Sequence, residues 1–260
     1  MPPKSGAQKL VQLDAHTGKT LQIIRFGEDI LSPGAQLNDL RIFGSHIYLT
    51  DSGLGSLIVH NQSTGHTLRR LSGSPVTQEI PITVAPPQPG QFSAKHRIPK
   101  SDMIELSPDG EWLYWESLTG PFRRIWTAVL RDVTLGDDDL TKQVERVADI
   151  ELTGGSAMDS LGNLYLSEIR TKAVTILSPD GRKALFAANA EFEGPDGPFI
   201  DKHRKLYIPV SQAGRTRLFG NATDMTVKPF KVFCVELPIE VAGIRLGSST
   251  ANPSQAFRTR

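Results

Sequence analysis

A single cysteine, Cys234, in 260 residues leaves no partner for an intramolecular disulfide and rules out a multi-cysteine zinc site. It lies in the apolar run Val232-Phe233-Cys234-Val235, where a small buried hydrophobe is expected. No apolar run approaches the roughly 18 residues of a spanning helix, and the opening Met1-Pro2-Pro3-Lys4-Ser5-Gly6 lacks the apolar core of a secretory signal. The chain as written is therefore expected to be soluble and cytoplasmic. An excess of one charge is missing too. With 29 Lys and Arg against 28 Asp and Glu, the formal charge is +1, and no whole-protein field recruits nucleic acid or an anionic membrane. Arg69-Arg70, Arg123-Arg124 and Arg204-Lys205 are pairs rather than runs, expected at solvated strand ends. There is no Gly-x-Ser-x-Gly elbow, phosphate loop, His-Glu-x-x-His helix or Cys-His pair, so conventional covalent hydrolysis has no nucleophile.

What is present is a globular composition, 38% apolar and 22% charged, in which short β-rich runs punctuated by Gly, Pro, Asp and Asn recur while sustained helical periodicity does not. The expected class is all-β. Leu10 to Asp14, a turn at Gly18 and Leu21 to Phe26 predict a hairpin. Larger units follow. Leu37 to Phe43, Ile47 to Thr50, Leu57 to His60 and Thr67 to Leu71 make one candidate four-stranded blade; Met103 to Leu106, Trp112 to Glu116, Arg124 to Leu130 and Val144 to Ala148 make a second. Ser156 to Met158, Leu164 to Glu168, Val174 to Leu177 and Ala184 to Ala187 make a third, and Pro198 to Ile200, Leu206 to Val210 and Lys231 to Leu237 a fourth whose outermost strand is undefined.

An internal echo supports radial repetition. Leu106-Ser107-Pro108-Asp109-Gly110 leading to Leu113-Tyr114 parallels Met158-Asp159 leading to Leu164-Tyr165 and, more weakly, Ile200-Asp201 leading to Leu206-Tyr207. A period of about 40 to 60 residues built from four strands is the signature of a β-propeller. The insertion at 73–100 carries Pro75, Pro81, Pro86, Pro87, Pro89 and Pro99 and is expected as a loop. The expected organisation is a disordered 1–9, one propeller over 10–245 and a flexible tail over 246–260.

Leu37-Asn38-Asp39-Leu40-Arg41, followed by Ile47-Tyr48-Leu49-Thr50-Asp51-Ser52-Gly53-Leu54-Gly55-Ser56-Leu57-Ile58-Val59, resembles the signature blade of the Yellow and major royal jelly proteins. The later Ser107-Pro108-Asp109-Gly110, Gly162-Asn163-Leu164-Tyr165 and Gly194-Pro195-Asp196-Gly197 segments resemble the following blades in order. The resemblance spans about Gln8 to Pro238 and implies a six-bladed propeller, mostly extracellular in the family, related to the gluconolactonase type. Six four-stranded blades need about 24 strands, more than are counted here, so the expected architecture lacks the N-terminal blade or more.

In a propeller the residues that open each inner strand face a shared axial cavity. The candidates are Asn38, Asp39, Ser101, Asp102 and Asp196, with Trp115 as an aromatic wall; Asp102 and Asp196 are the candidate acid/base groups. Asp51, Asp109, Asp159 and Asp201 are expected in turns, and His60, His66 and His203 at the surface. Similarity to the gluconolactonase propellers sets Asn38 and Asp102 at two metal-ligand positions but Gly154 at a third, so no metal and no cofactor is expected. Three functions remain open: a small-molecule site with metal-independent isomerase or cyclase chemistry in specialised metabolism, a non-catalytic secreted binding or structural protein, and a metal-dependent lactonase. The Asn61 and Asn221 glycosylation acceptor tripeptides bear on the protein only if it is secreted.

Overall fold

The computed structural model describes residues 6–80, 99–217 and 223–250. Pro81, Pro86, Pro87 and Pro89 of the expected loop, Asn221, the first five residues and the tail beyond 250 lie outside the described residues. The N-terminal hairpin joins β1 (Lys9–Leu13) to β2 (Thr20–Arg25). Its turn is set by the Asp14 carboxylate, which accepts from the His16 and Thr17 amides, and by Gly18 at φ 69°.

The first four-stranded antiparallel sheet is β3 (Leu37–Phe43), β4 (His46–Asp51), β5 (Ser56–Asn61) and β6 (Thr67–Arg70). The second is β7 (Ile104–Leu106), β8 (Trp112–Trp115), β9 (Phe122–Trp126) and β10 (Glu145–Ala148), with two short helices, α1 (Thr127–Arg131) and α2 (Asp137–Lys142), between its last strands. The third is β11 (Thr153–Met158), β12 (Leu164–Glu168), β13 (Ala173–Leu177) and β14 (Lys183–Ala188). A three-stranded sheet of β15 (Phe199–Ile200), β16 (Lys205–Pro209) and β17 (Val232–Glu236) follows, then a small hairpin of β18 (Glu240–Val241) and β19 (Ile244–Arg245). Consecutive sheets meet through their first strands, β3 beside β7, β7 beside β11 and β11 beside β15, which is the radial order of a β-propeller.

Strand alternation explains why these sheets stack as blades. Neighbouring side chains on one strand point to opposite faces, so a blade between two others must be apolar on both. Tyr48 packs with the second blade while Ile47 and Leu49 pack toward the N-terminal hairpin; Leu57 and Val59 divide from Ile58 in the same way. In the second blade Ile104, Leu113 and Trp115 face the first, whereas Met103 and Phe122 face Met158, Leu164 and Leu166 of the third. Tyr165, Val174 and Ile176 then face Ile200, Leu206 and Ile208 of the fourth. Burying a large aliphatic or aromatic side chain is worth about 1.5–3 kcal/mol, so these interfaces carry the stability.

Several local expectations change. The run from Arg124 to Leu130 is a strand only to Trp126, because the Thr127 amide and hydroxyl bond to Glu111 and Gly110 carbonyls and turn the chain into α1, burying Leu130. Cys234 is exposed: β17 is the last strand of its sheet, and Phe233 and Val235 take the inward positions. His60 is buried, edge-on to Phe26 and bonded to the Thr67 hydroxyl at 2.8 Å. Arg70 is buried as well and donates to the carbonyls of Leu130 and Asp132. Packing also runs past both expected boundaries. Gln8 bridges Ala35 and Leu37, Leu246 is buried, and the Gly247 amide donates to Asp159.

Candidate functional site

The openings of β3, β7 and β11 and the segment before β15 come together at one mouth of the axis. Thr50, buried on β4, fixes the two nearest pieces: its hydroxyl donates to the Asp102 carbonyl at 2.6 Å and accepts from the Asp39 amide at 3.1 Å. The Asp102 amide donates to the Glu116 carbonyl, which anchors this segment to its own blade. Held this way, Asp102 receives a hydrogen bond from the exposed Asn38 side-chain amide. Asp196 sits at the solvent edge of the same mouth, its amide tied to the Pro209 carbonyl at 3.0 Å.

Protein mass around these acids disfavours their charged forms. Burial first, then the charges of Asp196 and Asp39, raise Asp102 to about 7, against the opposing pull of the Asn38 hydrogen bond. Asp196 is raised to about 6, again by burial first, with the Gly197 amide working the other way and Asp39 adding to the rise.

Below the mouth lies a polar cluster that the sequence reading did not single out. Arg41 on β3 spans to Glu105 on β7 through two hydrogen bonds of 3.0 and 2.6 Å, and pairs with Asp39 at 3.0 Å. It also donates to the Ser156 carbonyl on β11, and the Ser156 hydroxyl donates to Glu105 at 2.9 Å. Burial alone would lower the Arg41 pKa, but Glu105 and then Asp39 outweigh it and hold the guanidinium more firmly charged. Burial pushes Glu105 upward against the pull of Arg41 and Ser156. One arginine thus ties three blades across the axis.

The predicted residues divide accordingly. Asn38, Asp102 and Asp196 share the mouth, and Asp39 turns toward Arg41 at its rim. Ser101 is buried, with its hydroxyl on the Thr77 carbonyl. Trp115 is 0% exposed in the interface between the first and second blades, and its indole N–H donates to Val76 at 3.0 Å. It is a core residue because it follows Leu113 on the inward face of β8, away from the mouth. Arg41 was legible as the same-face neighbour of Asp39 two residues on, and Glu105 as a lone charge inside the apolar Met103-Ile104-Glu105-Leu106 strand. Glu116, buried with both carboxylate oxygens unpartnered, carried no such signal.

At the Gly154 position no side-chain metal ligand can stand without moving the backbone, because a Cβ there would overlap the Pro195 carbonyl oxygen. Among the described residues no three His, Cys, Asp or Glu side chains group as metal ligands.

Blades packed about a polar axis, with their first strands side by side, define a β-propeller. A sequence model of the major royal jelly proteins matches residues 2–183, well over half of the chain, and the chain belongs to that family. Among solved structures, the calcium-binding protein regucalcin from Agrobacterium tumefaciens is similar at 19% identity and a TM-score of 0.50, over 76% of this chain and 60% of that one. Virginiamycin B lyase from Staphylococcus aureus is similar at 12% identity and a TM-score of 0.50, over 91% of this chain and 65% of that one. A luciferin-regenerating enzyme is similar at 11% identity and a TM-score of 0.57, over 93% of this chain and 73% of that one. The chain therefore spans less than two-thirds of the length of the regucalcin and the lyase, and these likenesses establish the fold alone. No curated protein matches the sequence.

Proposed function

We propose that the axial mouth binds a small organic molecule through Asn38, Asp102 and Asp196, and that Asp102 moves a proton on it without a metal, as an isomerisation or cyclisation in specialised metabolism requires. The observation that carries this reading is an aspartate held near neutrality, at about 7, beside an amide that steadies it. A general acid/base works best when its pKa matches the working pH, and such a group contributes typically about 10²–10⁴-fold in rate. The step balances within the ligand: ionised Asp102 takes a proton from one atom, and the resulting carboxylic acid returns it to another. Asp196, less strongly raised, holds a hydroxyl or a cationic group of the ligand at the rim.

The test is proton exchange. Small hydroxylated or amine-bearing compounds with acidic C–H bonds are incubated with the protein in D2O containing EDTA, and deuterium uptake is followed by NMR. Uptake that survives chelation and falls at least about 100-fold in Asp102→Asn supports the proposal. Binding without exchange, weakened by Asp102→Asn and Asp196→Asn, makes the protein a non-catalytic binder. Turnover abolished by EDTA and restored by calcium brings back the lactonase reading.

A further inference from the structure

A second cavity lies on the rim of the same propeller face, outside the axial mouth. It is a cleft of about 290 Å³ between the loop joining β8 to β9 and the segment leading into β11. Its walls are Ile80, Pro121 and Ile150, and two arginines, Arg123 and Arg146, open into it, with Asp149 as the acid beside them. The charges do not balance. Arg146 and Asp149 pair with one another, but both are solvent-exposed, at 62% and 75%, and an exposed pair holds weakly. Arg123 is half-buried, and among the described residues its side chain bonds to the Pro121 carbonyl alone, two residues away, at 3.2 Å. Its one opposing acid behind the wall is Glu116, whose oxygens reach no hydrogen-bond donor and which burial holds well above the usual carboxylate range. Burial first, then the charge of Arg146, lower the Arg123 pKa, with Glu116 opposing them in part. A partly desolvated guanidinium set directly opposite a second arginine on the neighbouring strand, at an apolar-walled cleft and with no carboxylate in hydrogen-bond reach among the described residues, makes a place for an anion.

We propose that this cleft is a binding site for a small organic anion, a carboxylate or phosphate ester whose charged end bridges Arg123 and Arg146 and whose apolar body lies on Ile80, Pro121 and Ile150. Guanidinium groups match planar carboxylates and phosphates through paired N–H donors. The volume suits a molecule of one ring rather than a polymer. The site is independent of the proton chemistry assigned to Asp102.

Calorimetric titration of the full chain with phenyl phosphate, benzoate and inorganic phosphate tests it. Saturable binding of phenyl phosphate or benzoate, tighter than inorganic phosphate by at least about tenfold because of the apolar walls, is expected. Arg146→Gln, a surface change that leaves the fold intact, is expected to weaken it about tenfold, and Arg123→Gln more. Asp149→Asn, which releases Arg146, is expected to tighten it, and Asp102→Asn to leave it unchanged. No saturable binding of either organic anion up to millimolar concentrations, or binding indifferent to Arg146→Gln and Asp149→Asn, overturns the proposal. Loss of binding in Asp102→Asn also overturns it, by moving the anion to the axis.

Discussion

Four acids near the axis, Asp102, Asp196, Glu105 and Glu116, carry raised pKa values, and this fixes the sign of a pH effect. An acid whose folded-state pKa exceeds its unfolded value holds its proton more tightly in the folded chain, so stability is lost as pH rises through the interval between the two. For Asp102 that interval runs from about 4 to about 7; for Asp196 it runs from about 4 to about 6, with a smaller effect because its side chain is open to water. Glu116 acts in the same direction, because burial and the nearby Asp102 raise it. The melting temperature is therefore expected to fall between about pH 4 and pH 7, and Asp102→Asn to flatten that slope, with a gain on the order of 1–2 kcal/mol at pH 8. Calorimetric melts across this range check both. Arg41 points the other way. Arg41→Ala leaves Glu105 buried without its partner and is expected to cost about 3–5 kcal/mol in denaturant unfolding, as loss of one member of a buried ion pair does.

At the scale of elements, the Asp-to-Tyr spacing of the third and fourth sheets has a common geometry. Asp159 accepts from the Asn163 amide and the Tyr165 hydroxyl, and Asp201 accepts from the Lys205 amide and the Tyr207 hydroxyl, so in these two sheets the turn between the first two strands is closed by a tyrosine six residues on. Tyr165→Phe is expected to lower stability by about 0.5–1.5 kcal/mol, and Tyr207→Phe by less because its turn is open to water. Thermal melts of the two variants make the comparison. This echo was legible because it sits in local sequence. The same holds for the blade strands, whose alternation declares two buried faces, and for the turn roles of Asp51, Asp109, Asp159 and Asp201. Trp115 and Ser101 were misplaced because their roles depend on which face of a strand meets which neighbour. Gly154 belongs to that second group. It permits β11 to approach the Pro195 carbonyl, and Gly154→Ala is expected to destabilise by about 1–3 kcal/mol in chemical unfolding as the two segments are forced apart.

Across the whole molecule, burial is uneven. β5 and β12 are almost entirely enclosed between neighbours, whereas β2 and β17 show mostly exposed side chains, including Leu21, Ile23 and Val232. Local opening follows such differences, so amide hydrogen exchange is expected to be slowest in β5 and β12 and fastest in the N-terminal hairpin and β17, as mass spectrometry of peptic fragments can show. The division of each strand's residues between two interfaces has one more result. Sliding Leu57-Ile58-Val59 by a single position would swap what the hairpin side and the second-blade side receive, spoiling both seams together. Lineages with this architecture are therefore free to lengthen or shorten their connecting loops, while the strands themselves tolerate exchange of one side chain for another but not a change in their count.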